Sequence, residues 1–377
     1  MTVLDETFWG ARAASFDALE RELARLRRAA VAHAKERGRT LARASVLNLV
    51  VYAEREVHAR RAARTVADLA IRHPSRAIVV LGDRERDGVV ASVQLQCHVP
   101  QSDGGQPVLY EQILARVRGD FDERVASVVI PLLVPDLPVF LWWTGTPPKD
   151  ARRLDDLVKL ADRFIVDSAD FARADRTLPE VASLARRSVG ITDLNWARLT
   201  HWRELVAQFF DVPAWRPFLD GITGIRAGFA VDMDGRDIHP SQALLLLGWF
   251  ASRLGWQVVE ALAPSEAGGV LFRMARSDGA PVMVRLRPRF ERGLDAGDVS
   301  GVRIQSATGR DTAEFVVKRA PDDRHATATA IVNGVVRAER VVPLPALGMR
   351  ELLGEELAIA GNDHVYEGAL ATLMALA

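Results

Sequence analysis

The chain has 377 residues, 49% of them hydrophobic and 26% charged, the balance of a folded protein of about two domains, which excludes disorder as its main state. Its 49 Lys plus Arg are matched by 49 Asp plus Glu, so the basic excess of a non-specific nucleic-acid or membrane-surface binder is missing. The single cysteine, Cys97, excludes an intrachain disulfide and a cysteine-built zinc site. An acidic opening at Asp5 and Glu6 and the lack of any apolar run of about 18 residues lead to the expectation of a cytoplasmic protein without a secretory leader.

Phe16, Leu19, Leu23, Leu26 and Ala30 recur at helical spacing and predict a helix with Ser15 as N-cap and a stop at Gly38. Val46-Leu47-Asn48-Leu49-Val50-Val51 reads as a strand covered on both faces. A helix is expected over 54–72, with Val57, Val66 and Leu69 inward and Arg60, Arg61 and Arg64 outward. His73-Pro74-Ser75 ends it, because proline disfavours helical geometry in the residue before it. Residues 77–81 form a second buried strand, so the segment reads as a β-α-β unit with parallel strands. A hairpin partner over 89–98, a helix over 108–117 and a strand at Val128-Val129-Ile130 follow. After the run Leu137-Pro138-Val139-Phe140-Leu141-Trp142-Trp143 come a helix near 154–160 and the strand Phe164-Ile165-Val166. This alternation predicts an N-terminal helix plus α/β domain with a mostly parallel sheet over 1–172. Residues 168–178, rich in Asp, Ala and Arg, read as a linker.

The second half, 173–377, reads as an α+β domain with an antiparallel sheet. Trp196, Leu199, Trp202, Val206 and Phe209 line one helix face, and a helix over 241–254 is apolar nearly all round. The period then switches to two, with short strands around Val258, 271–274, 282–286, 302–304 and 315–317. Asn333-Gly334 between two apolar runs signals a type I′ hairpin, whose central residues both need positive φ. Helices over 349–359 and 364–376 close the chain.

A search for chemistry is nearly empty. No phosphate-cradling Gly-rich loop ending in Lys-Ser/Thr is present, and no His-Glu-x-x-His or Gly-x-Ser-x-Gly motif. Gly221, Gly224 and Gly228 have the wrong spacing for a dinucleotide turn and read as turns flanking a strand. Asp232 to Asp237 lacks the glycine position and glutamate of a calcium loop and reads as a turn. Cys97 and His98, adjacent on a strand, point to opposite faces, which favours a buried structural cysteine. His239-Pro240-Ser241 reads as a helix entry with proline in the first turn. No catalytic residue, metal site or cofactor is expected.

Three features stay open. His73, Ser75 and Arg76 bring an imidazole, a hydroxyl and a guanidinium to one turn, which suits either an anion or partner carboxylate or an ordinary connection. Trp142 and Trp143 face opposite ways in a strand, so one is expected in the core and the other is either packed or offered to a partner. Arg285, Arg287 and Arg289 alternate along Val284, Leu286, Pro288 and Phe290, so a strand there puts three guanidiniums on one face. That face is either solvated surface, with Pro288 marking a sheet edge, or a basic stripe for an acidic surface or a phosphate.

Several of these segments resemble the glucose-6-phosphate dehydrogenase assembly protein family, OpcA. The resemblance is carried by Val46 to Val51, by His73-Pro74-Ser75-Arg76-Ala77-Ile78-Val79-Val80, and by Pro135-Asp136-Leu137-Pro138 through Trp142-Trp143. It continues in Ser188-Val189-Gly190-Ile191-Thr192-Asp193-Leu194-Asn195-Trp196-Ala197-Arg198-Leu199 and Trp202-Arg203-Glu204. It implies a non-catalytic accessory protein that binds glucose-6-phosphate dehydrogenase and promotes its assembly or activity in the oxidative pentose phosphate pathway. The paired-cysteine redox response attributed to some relatives has no intrachain counterpart with Cys97 alone. The competing readings are a sugar-phosphate sensor or enzyme using His73, Ser75 and Arg76, and an assembly factor that leaves once the oligomer forms.

Overall fold

The computed structural model describes residues 6–9, 16–36, 42–43, 45–70, 72–83, 88–98, 108–149, 152–185, 189–233, 240–264, 269–322, 324–358 and 361–376. They divide into two units: Met1–Asp167 with Ser188–Thr192 and Met349–Gly361, and Ser168–Arg187 with Asp193–Gly348 and Asn362–Ala377. The single cut expected at 172/173 is therefore replaced by two discontinuous units. The reason is that Gly190–Asp193 supplies a strand to the first sheet and Met349–Ala358 packs on the helix Glu56–Leu69.

The first unit is α/β. Its sheet has a parallel centre in which Val108–Arg118, Ser75–Asp83, Leu47–Ala53, Val139–Trp143 and Arg163–Val166 follow one another. Gly88–His98 and Glu6–Trp9 are added antiparallel at one edge. All seven residues of Leu47–Ala53 are buried, as a strand covered on both faces requires. The helix Phe16–Glu36 buries Leu19, Leu23, Leu26 and Ala30 as its spacing predicts; the expected cap Ser15 and stop Gly38 lie outside the described residues.

Three expected elements of the first half differ. Residues 108–117 form a strand, Val108–Arg118, rather than a helix. Its pattern of Leu109, Ile113, Leu114 and Val117 satisfies either period, and pairing with strands on both sides decides the outcome. Val128-Val129-Ile130 lies in the short helix Val125–Val129 and a following 3-10 turn. A short apolar run does not by its period distinguish strand from buried helix, and the crossover to the parallel strand Val139–Trp143 is made here. The expected linker at 168–178 is a 3-10 turn, Ser168–Asp170, followed by the helix Ala174–Ala185, whose Leu178, Val181 and Ala182 are buried.

The second unit is α+β, with a mostly antiparallel eight-stranded sheet. One face carries Ile225, Ala227, Phe229, Val284, Leu286, Val302, Ile304, Phe315 and Val317, all buried. Phe315 is the hub, with the rings of Phe210 at 5.1 Å, Phe209 at 5.2 Å and Trp215 at 6.0 Å, pairs that each add about 0.5–1.5 kcal/mol beyond area burial. The expected helix through Trp196 and Phe209 is two, Leu194–Arg198 and Thr200–Phe210. Ser241–Leu254 is buried nearly all round, and Gly248 lies so close to the Ala369 carbonyl that a Cβ would meet it at 2.6 Å. Pro240 is the N-cap of that helix rather than a first-turn residue. Asn333 (φ 54°) and Gly334 (φ 76°) make the expected hairpin turn. Gly224 and Gly228 sit inside the strand Ile222–Val231 rather than in turns flanking it. His239, the acidic run 234–237 and the Cys97 side chain lie outside the described residues.

Candidate functional site

Arg76 is 4% exposed on the strand Ser75–Asp83, and its guanidinium is taken up inside the unit. Nη2 meets Glu111 at 2.9 Å, Nη1 lies 3.6 Å from Glu20, and Nη1 also donates to the Leu132 carbonyl at 3.0 Å. Arg27 holds the same Glu111 carboxylate with bonds of 2.6 and 2.9 Å. A buried carboxylate between two guanidiniums balances charges that would be costly alone. Ser75 is buried, and His73 is half-buried beside Gly354, with its imidazole held below the ordinary range by burial and by Arg72. The three residues thus do not converge as an anion site, because Arg76 already serves Glu111.

Trp142 and Trp143 are both buried, at 3% and 0% exposure, so of the two readings left open for the second indole the packed one holds. Opposite faces of the strand are both covered, as Val51 and Tyr52 on the neighbouring strand confirm. Trp143 stacks on Tyr52 with centroids 4.2 Å apart. Tyr52 donates to Asp122 at 2.7 Å, and burial with that bond raises its phenol above the usual range. Arg153 reaches Glu54 at 2.6 Å and Asp122 at 3.8 Å. Gly82 is required here, since a Cβ would collide with the Tyr52 hydroxyl and Asp122.

This cluster lies at the carboxyl ends of Leu47–Ala53 and Val139–Trp143, the adjacent strands beyond which the order runs in opposite directions. Open α/β sheets bind ligands at such a point, with phosphates at the following helix N-terminus. Here the turn is Glu54-Arg55 and the helix begins at Glu56. Arg60 and Arg116 hold Glu56 below the usual carboxylate range, so it stays ionised. A dinucleotide phosphate would meet carboxylates there, and these residues do not fit it.

Arg285, Arg287 and Arg289 share one face of Pro281–Phe290, as the alternation predicts. Pro288 marks an edge only in part: Val270–Ala275 covers this strand from Pro281 to Leu286, and Pro288 lies beyond that pairing. Register brings in two residues that sequence reading missed. Arg226 pairs with Arg285 on one side and Arg303 on the other. Arg303 meets Glu314 at 2.5 Å, while Arg226, Arg285 and Arg287 have no ion-pair partner among the described residues. Burial, then the charges of Arg287, Arg285 and Arg303, lower the Arg226 guanidinium from its ordinary value. The Gly224-x-Arg226-x-Gly228 alternation was the available signal.

A buried polar network in the second unit was also missed. Asp193 Oδ1 accepts from the backbone of Ser168 and Asn195, each at 2.9 Å. Asn195 Nδ2 donates to Ser241 at 2.9 Å, and Gln242 Nε2 donates to Asn195 at 3.0 Å and Asp298 at 2.9 Å. Burial raises the Asp298 carboxyl above its ordinary value. Every polar atom named has a partner, so the network orders the core rather than presenting a reactive group. Asp193, directly before an apolar helix, had the N-cap signature.

Comparison with known proteins adds a family. Residues 66–183 match the family model described as the glucose-6-phosphate dehydrogenase subunit N-terminal domain, and residues 189–370 that of its C-terminal domain. A putative OxPP cycle protein OpcA of Synechocystis sp. is 28% identical over 316 residues, covering 82% of this chain and 65% of the relative. The protein of the same description from Nostoc punctiforme is 34% identical over 197 residues, 52% of this chain and 41% of the relative. The chain thus spans less than two thirds of the length of these two relatives. A 3-ketoreductase from Actinomadura kijaniata aligns over 88% of this chain and 95% of its own at 11% identity and a TM-score of 0.48, a likeness that carries no argument about activity.

Proposed function

The chain belongs to the OpcA family of glucose-6-phosphate dehydrogenase subunits, and from that premise we propose that it binds a glucose-6-phosphate dehydrogenase and promotes its assembly or activity without catalysing a reaction itself. The observation that carries the reading is the match of both halves to domains described as parts of that subunit. The site geometry supports it: Arg76 is committed to Glu111, which leaves the sugar-phosphate reading without its central cation. No helix among the described residues is long and apolar enough to cross a membrane, and a cytoplasmic setting beside the enzyme is part of the proposal.

An accessory chain activates an enzyme only by binding its competent form more tightly than the other form. The test is therefore kinetics and sedimentation of the cognate dehydrogenase with and without this chain. A complex at micromolar concentration with a raised kcat, a lowered KM or a shifted oligomer is expected. No complex and unchanged kinetics overturn the proposal.

A further inference from the structure

The eight-stranded sheet of the second unit has its helices on one face. On the other, cross-strand register lines up side chains that are far apart in sequence. Arg285, Arg226 and Arg303 form one row across three adjacent strands. The next row reads Arg287, Gly228, Gly301 and Lys318, so two residues without side chains lie between two cations, with the Ser300 hydroxyl over Gly228, where a Cβ would meet it at 2.8 Å. Directly opposed residues on neighbouring strands stand about 4.5–5.5 Å apart, where like charges destabilise a sheet. Among the described residues the only ion pair of these rows is Arg303 with Glu314. Arg285 Nε and Arg287 Nε are buried with no hydrogen-bond partner among the described residues, an unmade interaction that is costly unless something else supplies an acceptor.

We propose that this open face, centred on Arg226, Arg285 and Arg287, docks an acidic protein surface, that of the dehydrogenase; the inference rests on the partner reading above. Carboxylates set against this face would meet Arg226 and Arg287 together, with the Ser300 hydroxyl over Gly228 as a neighbouring donor. The face is flat and several strands wide, and its rows also carry exposed Met283 (44%), Val336 (56%) and Val341 (68%). Arginine and methionine beside apolar side chains match the composition of a protein interface. A second copy of this chain fits poorly, because a two-fold contact through the face sets the same cations against one another.

The test uses the full chain, its cognate dehydrogenase, and the variants Arg226→Glu and Arg287→Glu. Association at least about tenfold slower than wild type, with a flattened salt dependence and an unchanged melting temperature, is expected. Wild-type association by both folded variants across a salt series overturns the docking face while leaving the partner reading standing; no binding by the wild-type chain overturns both. If either reversal unfolds the chain, phenylglyoxal labelling of wild-type Arg285 and Arg287, read by mass spectrometry, decides: labelling should fall in the complex, and equal labelling rejects the proposal. Two further outcomes reject it. One is stabilisation of the isolated chain by inorganic phosphate that Arg287→Glu abolishes without slowing association. The other is self-association lost in the variants while dehydrogenase binding is kept.

Discussion

Arginines do opposite things in the two units. In the first, Arg27 and Arg76 converge on Glu111, and the guanidinium of Arg76 becomes part of the core. In the second, Arg226, Arg285 and Arg287 gather on an open sheet face with no ion-pair partner among the described residues, and the charge of Glu314 offsets the repulsion on Arg226 only in part. The difference is one carboxylate. Glu111 sits on a central strand of the first sheet, within reach of both cations, whereas Glu314 on the second sheet forms its ion pair with Arg303 and acts on Arg226 only through its charge. Whether an arginine is structural or available is thus set by what a distant strand places beside it, not by its neighbours in sequence.

The comparison breaks most directly at Glu111. Glu111→Gln leaves two cations facing a neutral amide and should cost about 3–5 kcal/mol of unfolding free energy, read by denaturant titration. A loss under about 1 kcal/mol would mean that the cluster is not what holds Arg76. Trp142→Ala and Trp143→Ala extend the same contrast to uncharged core. Both side chains are fully buried, so each should cost about 3–5 kcal/mol and lower the melting temperature alike. A folded, stable variant from either would return that indole to the list of partner contacts.

On the open face the opposite holds. Arg287→Gln in the isolated chain removes one member of a repelling group, so stability should stay within about 0.5 kcal/mol of wild type or rise slightly. A large loss would make the stripe a structural element like its counterpart in the first unit. The smallest effect belongs to His73, whose imidazole is held below its ordinary value by burial and Arg72. The unfolded chain then takes up the proton first as pH falls through the ordinary histidine range near 6.5. This group therefore lowers stability towards acid and contributes no loss above that range. His73→Gln should flatten the decline in melting temperature between neutral and mildly acidic buffer, and an unaltered slope would reject the assignment.

Sequence alone determined the elements whose cause is local. The helix Ser241–Leu254 follows from its apolar run, the turn at Asn333-Gly334 from its need for positive φ, and the strand-helix-strand unit from Leu47 to Leu81 from two apolar runs flanking an amphipathic stretch. The family motifs were legible for the same reason, as was the shared face of Arg285, Arg287 and Arg289, which needs only the two-residue repeat of a strand. Tertiary structure decided the rest. Val108–Arg118 became a strand because two neighbouring strands claimed its backbone, and both tryptophans became core because both faces of their strand are covered. Arg76 lost its claim as an anion contact when Glu111 arrived from another strand, and Arg226 gained one through register with Arg285 and Arg303. Periodicity reports which face of its own element a side chain occupies; only the pairing of distant strands determines which charges meet there.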